Sequence, residues 1–449
     1  MTEEDAVPNS TTLTRGDRRR NEKLAGLREI VRPELAVVAV DLADAKQAAV
    51  VANHDSMIFA KRMFDGSAWC VDEILDWAAP IASAAGFAGV VLACEPTGHR
   101  WKPLLERATA RGIRLVCVQP LLTHRGREGE DFTRDRSDFK DAMIIARLVA
   151  ELRCYVPVAQ SGEWARLRHL GQRRNSVMVR VGADRQCLAD LLACAWPAVL
   201  AVASKPLESL TWRAAMGVST DPAVIAAMSL DDFARAVGAR LAGWGGQRRH
   251  WGILRAVHAA ATAPGGIGSE RTGACERAGF ALNDWQRDLS DLACVETRMV
   301  EVLDTLGLTR WVTTINGLSA IGAAAILAET GDPARYDCAR TWVKHAGVCP
   351  RANESGTFRG QTTISGRGRP ALRTAAWRAI WGALPNNTVY AARYQHLRTR
   401  TANPLSDGQA RVALAAALLR QLFVVVTRRV AWDATLAGGP AEEVTAQAA

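Results

Sequence analysis

Paired cysteines are missing from this chain of 449 residues: its ten cysteines are scattered singly, with no Cys-x-x-Cys and no Cys/His cluster at zinc spacing. That pattern excludes a disulfide framework and a structural zinc site, and leaves reduced, mostly buried thiols. Long apolar runs are missing too. The stretch Leu191 to Ala203 is nearly uninterrupted but contains Pro197 and lies between Asp190 and Lys205. It falls short of the roughly 20 apolar residues that span a bilayer, so no membrane segment is expected. The opening MTEEDAVPNS is acidic and polar, where a secretory signal has a basic start and an apolar centre; a cytoplasmic chain is expected. Lysine is scarce, 7 against 49 arginines. A GC-rich coding genome gives the same bias, so the excess of arginine is not by itself evidence of phosphate recognition.

What is present is ordinary globular material, 49% hydrophobic and 23% charged, enough for two or three domains. The net charge of +10 is unevenly placed: residues 1–34 and 35–157 are close to balanced, 158–310 carry 18 basic and 15 acidic residues, and 311–435 carry 16 basic against 6 acidic. Such a concentration implies a polyanionic partner, or else a solvated basic face with no ligand.

Residues 1–34 are polar with balanced charge and read as a mobile arm with one helical turn. From Leu35 three strands are expected in a row, LAVVAVDL, KQAAVVAN and SMIFAKRM. A helix over WCVDEILDWAAPIASAAG, a strand GVVLACEPTG, a helix WKPLLERATARG and a strand IRLVCVQP follow. A polar loop, HRGREGEDFTRDR, leads into a helix, SDFKDAMIIARLVAELR. That order predicts an α/β, ribonuclease-H-like domain over 35–157 with an antiparallel first part. Residues 158–310 read as almost wholly helical, broken at APGGIGSE near 263–270; long helices on either side predict an antiparallel arm or coiled coil. Trp164, Trp196, Trp212, Trp244, Trp251 and Trp285 read as core or interface anchors. A mainly α, basic domain is expected over 311–435 and a disordered tail over 436–449.

Asp41 closes the first strand, and Glu95 ends another at a Pro-Thr-Gly turn. Asp138 and Asp141 are three apart in the opening turn of a helix and so share one face. Singly each has a plain reading as a strand terminator or helix N-terminal charge. As an ordered set on this strand order they are the oxygen ligands a pair of magnesium or manganese ions requires. Ser355 stands in a polar NESG turn with Arg351 and Arg359 on either side and Arg367, Arg369 and Arg373 following. The arginines suit phosphate clamping, or equally a solvated loop.

The motifs VAVDLADAKQAAVV, CEPTG and DRSDFKDAMIIARL resemble those of the DEDD transposases of bacterial insertion elements, the insertion-sequence "one-ten" family that includes the pilin-gene invertase. INGLSAIGAAAILAETGD and AGVCPRANESGTFRG followed by ISGRGRPALR resemble that family's C-terminal segments. The resemblance implies a RuvC-like N-terminal nuclease domain, a helical or coiled-coil middle and a helical transposase domain. It implies Asp41, Glu95, Asp138 and Asp141 as ligands of Mg2+ or Mn2+, and Ser355 as a nucleophile that links covalently to DNA. It further implies duplex DNA as substrate, an element-encoded noncoding guide RNA, a homo-oligomer (dimer or tetramer) and a nucleoid-associated location. Ser319 departs from the pattern, standing where the family's hairpin has a second glycine, and the middle region is longer than the family's. The chief rival is a Holliday-junction-type nuclease that uses water and not Ser355. A sugar-kinase-like ATPase shares the strand order but needs a glycine-bearing phosphate loop where Leu42, Ala43 and Asp44 stand. A catalytically dead nucleic-acid-binding relic is the third.

Overall fold

A computed structural model describes residues 13–67, 70–130, 137–159, 162–351, 354–355, 358–360 and 362–438, the side chains of 130, 354, 355, 358 and 359 excepted. The tail expected over 436–449 therefore lies almost wholly outside the described residues, as do the first twelve residues of the arm. Contacts divide the chain into two units, Met1–Ala159 and Gln160–Ala449.

The first unit opens with α1 (Arg15–Ile30), far longer than the single turn expected of the arm. Thr14 and Asp17 form a reciprocal capping box at its start, and Leu27 is buried at its end. Five strands follow in the order β3-β2-β1-β4-β5: β1 (Leu35–Asp41), β2 (Lys46–Ala52), β3 (Ile58–Asp65), β4 (Gly89–Cys94) and β5 (Leu115–Cys117). β1 to β3 are an antiparallel meander, whereas β4 and β5 run parallel to β1. This mixed sheet with helices on both faces is ribonuclease-H-like, as the sequence pattern predicts.

The alternation of side chains along β1 and β4 assigns the two faces. Val37, Ala39, Val91 and Ala93 pack towards α5 (Asp138–Ala150), beside Leu27 of α1. Ala36, Val38, Val40, Leu92 and Cys94 pack towards α2 (Cys70–Ala84) and α3 (Trp101–Ala110). The segment read as a polar loop instead begins in α4 (Pro120–Glu130), which packs on α5. Its composition hides it: glycine and charge replace the apolar period that marks a helix.

In the second unit α6 (Gly162–Ala195) and α12 (Arg271–Thr305) pack side by side. The ion pairs Arg166–Glu301, Arg173–Asp291 and Arg180–Asp288 fix them as antiparallel, the arm read from the sequence. Between them lie α7 (Pro197–Leu200), α8 (Leu210–Val218), α9 (Pro222–Ala226), α10 (Leu230–Leu241) and α11 (Trp251–Thr262). These short helices close on the arm's tip around a core of their own, which includes Trp196, Trp212, Phe233, Trp244 and Trp285. Four of the six tryptophans named above are thus buried anchors; Trp251 is exposed and Trp164 is only partly buried.

The arm's other end joins the C-terminal core. Leu167, Met299, Val302 and Leu303 pack with α13 (Thr309–Val312), α14 (Ala320–Thr330), α15 (Ala339–Ala346), α16 (Pro370–Asn386), α17 (Thr388–Thr399) and α18 (Asp407–Arg428). α18 is long enough and apolar enough to cross a membrane by length and composition, but 61% of its most apolar window is buried in this core. Ser319 caps α14 by accepting from the Gly322 amide at 3.0 Å, so the serine that departs from the family's pattern starts the helix. No disulfide joins the ten cysteines.

Candidate active site

Strand parity places the first two carboxylates. Asp41 continues the face of Val37 and Ala39, and Glu95 continues the face of Val91 and Ala93. Because Val40 is in register with Cys94 on parallel strands, the next residues along, Asp41 and Glu95, fall side by side at the strand ends. Neighbouring strands lie about 5 Å apart. Gly98, at φ +56°, lets the chain turn away after Glu95.

α5 supplies the other two carboxylates from the same side of the sheet. Ser137 caps it, its hydroxyl accepting from the Lys140 amide at 3.2 Å. The helix packs against β1, β2 and β4 through Ala142, Ile145 and Val149. Asp138 and Asp141 therefore sit in the first turn, beside the positive end of the helix dipole.

The electrostatics register this convergence. Asp41 has its carboxyl pushed up to about 6, first by burial and then by the negative charges of Asp141, Asp138 and Glu95. Arg127 of α4 opposes that shift. Its guanidinium grips Asp141 with both arms: Nε donates to Oδ1, and Nη2 donates to Oδ2 at 2.7 Å. Its own pKa is raised by Asp141 and, beyond it, by Glu95 and Asp41. Gly126 makes the approach possible, since a Cβ there would lie 2.6 Å from Ile144 Cγ2 on α5. The sequence does not single out Arg127, because nothing in its neighbourhood separates it from Arg125 on the same short helix.

Among the described residues, no three His, Cys, Asp or Glu side chains stand close enough to hold one metal ion. The four acids share one pocket of field without closing on a point. Arg127 draws Asp141 to itself. The donor set is nonetheless the acceptor-only oxygen set that hard divalent ions take.

The serine segment lies in the second unit. Ser355 is in β7 (Glu354–Ser355), paired antiparallel with β8 (Phe358–Arg359); the side chains of Ser355 and Arg359 are outside the described set. Outside that hairpin β6 (Pro350–Arg351) pairs with β9 (Thr363–Ile364). Arg351 and Arg367 are exposed. Two other arginines are held by the fold: Arg369 Nη1 reaches buried Glu329 at 3.5 Å, and Arg373 Nη1 donates to the carbonyls of Ala346 and Gly366. Glu329 also receives Arg168 of α6 at 3.0 Å, tying the arm to the C-terminal core. Gly368 lets the following turn lie on α15, for a Cβ there would stand 2.4 Å from the His345 carbonyl oxygen.

Two comparisons bear on these arrangements. A family profile for DEDD transposases of IS110 type, described as "Transposase", matches residues 38–197, which hold all four acids. A second, described as "Transposase IS116/IS110/IS902 family", matches residues 309–395, which hold Ser355 and the arginines. The chain belongs to the IS110 family of transposases. A search of curated proteins found no matching relative. The transposase is thus a DNA-recombining enzyme with DNA as a partner.

Proposed function

We propose that this transposase cleaves and rejoins duplex DNA strands by pairing a carboxylate-held divalent metal site with Ser355 as nucleophile. The observation that carries the reading is the gathering of Asp41, Glu95, Asp138 and Asp141 from two strands and one helix, where burial first and the other three charges after it push Asp41 up to about 6. A fold does not gather four like charges for stability. A divalent cation would relieve their repulsion further than Arg127 does, and the family resemblance points to Mg2+ or Mn2+. When bound, such an ion lowers the pKa of a nucleophile and stabilises charge on the phosphate and the leaving oxygen.

The chain's own residues supply the rest. Attack by the Ser355 hydroxyl oxygen on a backbone phosphorus forms a phosphoserine ester as one P–O bond of the DNA breaks. The serine proton ends on the departing sugar oxygen. Attack by a DNA hydroxyl on that ester reverses the exchange and frees the serine. The number of phosphate ester bonds is constant, so no high-energy cofactor is needed. Arg351, Arg359 and Arg367 are suited to steady the phosphate charge during both steps, while Arg369 and Arg373 hold the segment's frame. Residues 35–157 act as the nuclease domain and 311–435 as the serine-bearing basic domain, with 158–310 as the arm. The reading includes an element-encoded guide RNA and a homo-oligomer, dimer or tetramer, in which acids and serine from different copies complete one site.

Incubating the protein with element-end DNA, with Mg2+ or Mn2+ and then with EDTA, tests this reading. Metal-dependent nicking that leaves protein attached to DNA supports it; nicking that persists in EDTA refutes it. Arg127 gives a second test. Its positive charge competes with a metal for Asp141, so Arg127→Gln is expected to tighten Mn2+ binding about tenfold in a calorimetric titration. Weaker binding would mean that Arg127 positions Asp141 for the ion instead of competing with it.

A further inference from the structure

The arm neutralises its own arginines: Arg173, Arg174 and Arg180 are paired with Asp291, Glu296 and Asp288. The helices at its tip are different. From Phe233 to Ser269 there is no aspartate or glutamate, but there are five arginines: Arg235, Arg240, Arg248, Arg249 and Arg255. Arg235 pairs with Asp232 just outside this stretch. Arg249 is used by the fold, donating to the Ala234 carbonyl at 2.8 Å with its guanidinium over the Trp251 ring. That contact holds the loop between α10 and α11 against Gly238 of α10. Arg248 and Arg255 are exposed, and among the described residues neither has a hydrogen bond or ion pair. Arg255 lies one helical turn after Trp251 on α11, so the two share a face, and the indole is 42% exposed.

The patch is not a failure of packing, because the core beneath it is closed around four buried tryptophans. Nor does it belong to either region matched by the family profiles, which end at 197 and resume at 309. Two exposed, unpaired guanidinium groups, Arg248 and Arg255, with an exposed indole on the helix face of Arg255 and no acidic residue anywhere in the stretch 233–269, fit phosphate oxygens and the sugars between them.

We propose that this face of the tip grips the backbone of duplex DNA, independently of sequence, as an anchor additional to the shared transposase domains. The proposal rests on DNA being the enzyme's partner and not on the metal site, so it is tested in EDTA, where catalysis plays no part. Binding of the full chain to a labelled random-sequence duplex is measured over rising salt. Each guanidinium withdrawn from a phosphate lowers the slope of log affinity against log salt by about 0.9, so R248Q/R255Q is expected to lower it by about 1.8. Between about 50 and 200 mM salt the wild type then loses roughly tenfold more affinity than the variant. R248K/R255K, which keeps the charge, should hold the wild-type slope. The Lys and Gln pairs both lose the arginine shape, so the difference between them reads charge even where melting is affected. Equal slopes for the two pairs overturn the proposal. So does a difference seen with single-stranded RNA of the same length but absent with the duplex, which would assign the patch to RNA.

Discussion

Asp41→Asn is expected to abolish strand cleavage while making the metal-free protein more stable. The first effect follows from removing the central acid of the set; loss of one such ligand is expected to slow cleavage by about a thousandfold or more. The second follows from the sign of the Asp41 shift. Its folded pKa, about 6, lies above the ordinary carboxylate value, so the folded chain holds a proton that the unfolded chain releases. Below about pH 4 both states are protonated and the acid makes no difference. As pH rises from there to about 6 the folded state loses ground, and above 6 the penalty is complete. For a shift of about two units in a partly exposed group, discounted for screening, it is about 2 kcal/mol. Asparagine carries no charge and removes it, raising Tm by about 5 °C at pH 7.5 in EDTA. The gap should close at pH 4. It should also shrink when Mn2+ is added, because the ion binds and stabilises the wild type more than the variant. Equal melting of the two proteins in EDTA at pH 7.5 would show that burial and the neighbouring acids do not penalise the Asp41 charge as described.

Ser355→Ala is expected to eliminate the covalent protein–DNA adduct entirely while leaving DNA affinity within about twofold, since one neutral hydroxyl contributes little to a contact dominated by arginine and phosphate. The result also separates the recombinase from a junction-resolving nuclease. In the nuclease water is the nucleophile, so the alanine variant would nick DNA at the wild-type rate and leave no adduct in either protein. An adduct that forms in the wild type and disappears in the variant, with nicking lost in parallel, favours the serine. Unchanged nicking favours water.

Much of the site is legible in the sequence because it follows from strand parity. Asp41 and Glu95 each end a continuous apolar run, and the side-chain period of two carries them to the same face once the strands pair in register. Asp138 and Asp141 follow a capping serine, so helix geometry aligns them. Arg127 is hidden because it depends on a close approach of α4 to α5 at Gly126, a tertiary fact with no local period. α1 and α4 escape a sequence reading for a related reason: each is polar over most of its length and buries few side chains, so neither shows the apolar stripe by which helices are read. The tip's segments have helical spacing, but nothing in that spacing marks them as a separate packed body. Its buried tryptophans come from α8, α12 and the segments between helices, and only folding brings them together.

The central claim is that Asp41, Glu95, Asp138 and Asp141 together hold a divalent ion, and the most direct measurement is Mn2+ binding followed by electron paramagnetic resonance. The account predicts saturable binding to the metal-free wild type, weakened at least about tenfold in each of Asp41→Asn, Glu95→Gln, Asp138→Asn and Asp141→Asn. Binding that survives undiminished in all four variants would contradict it.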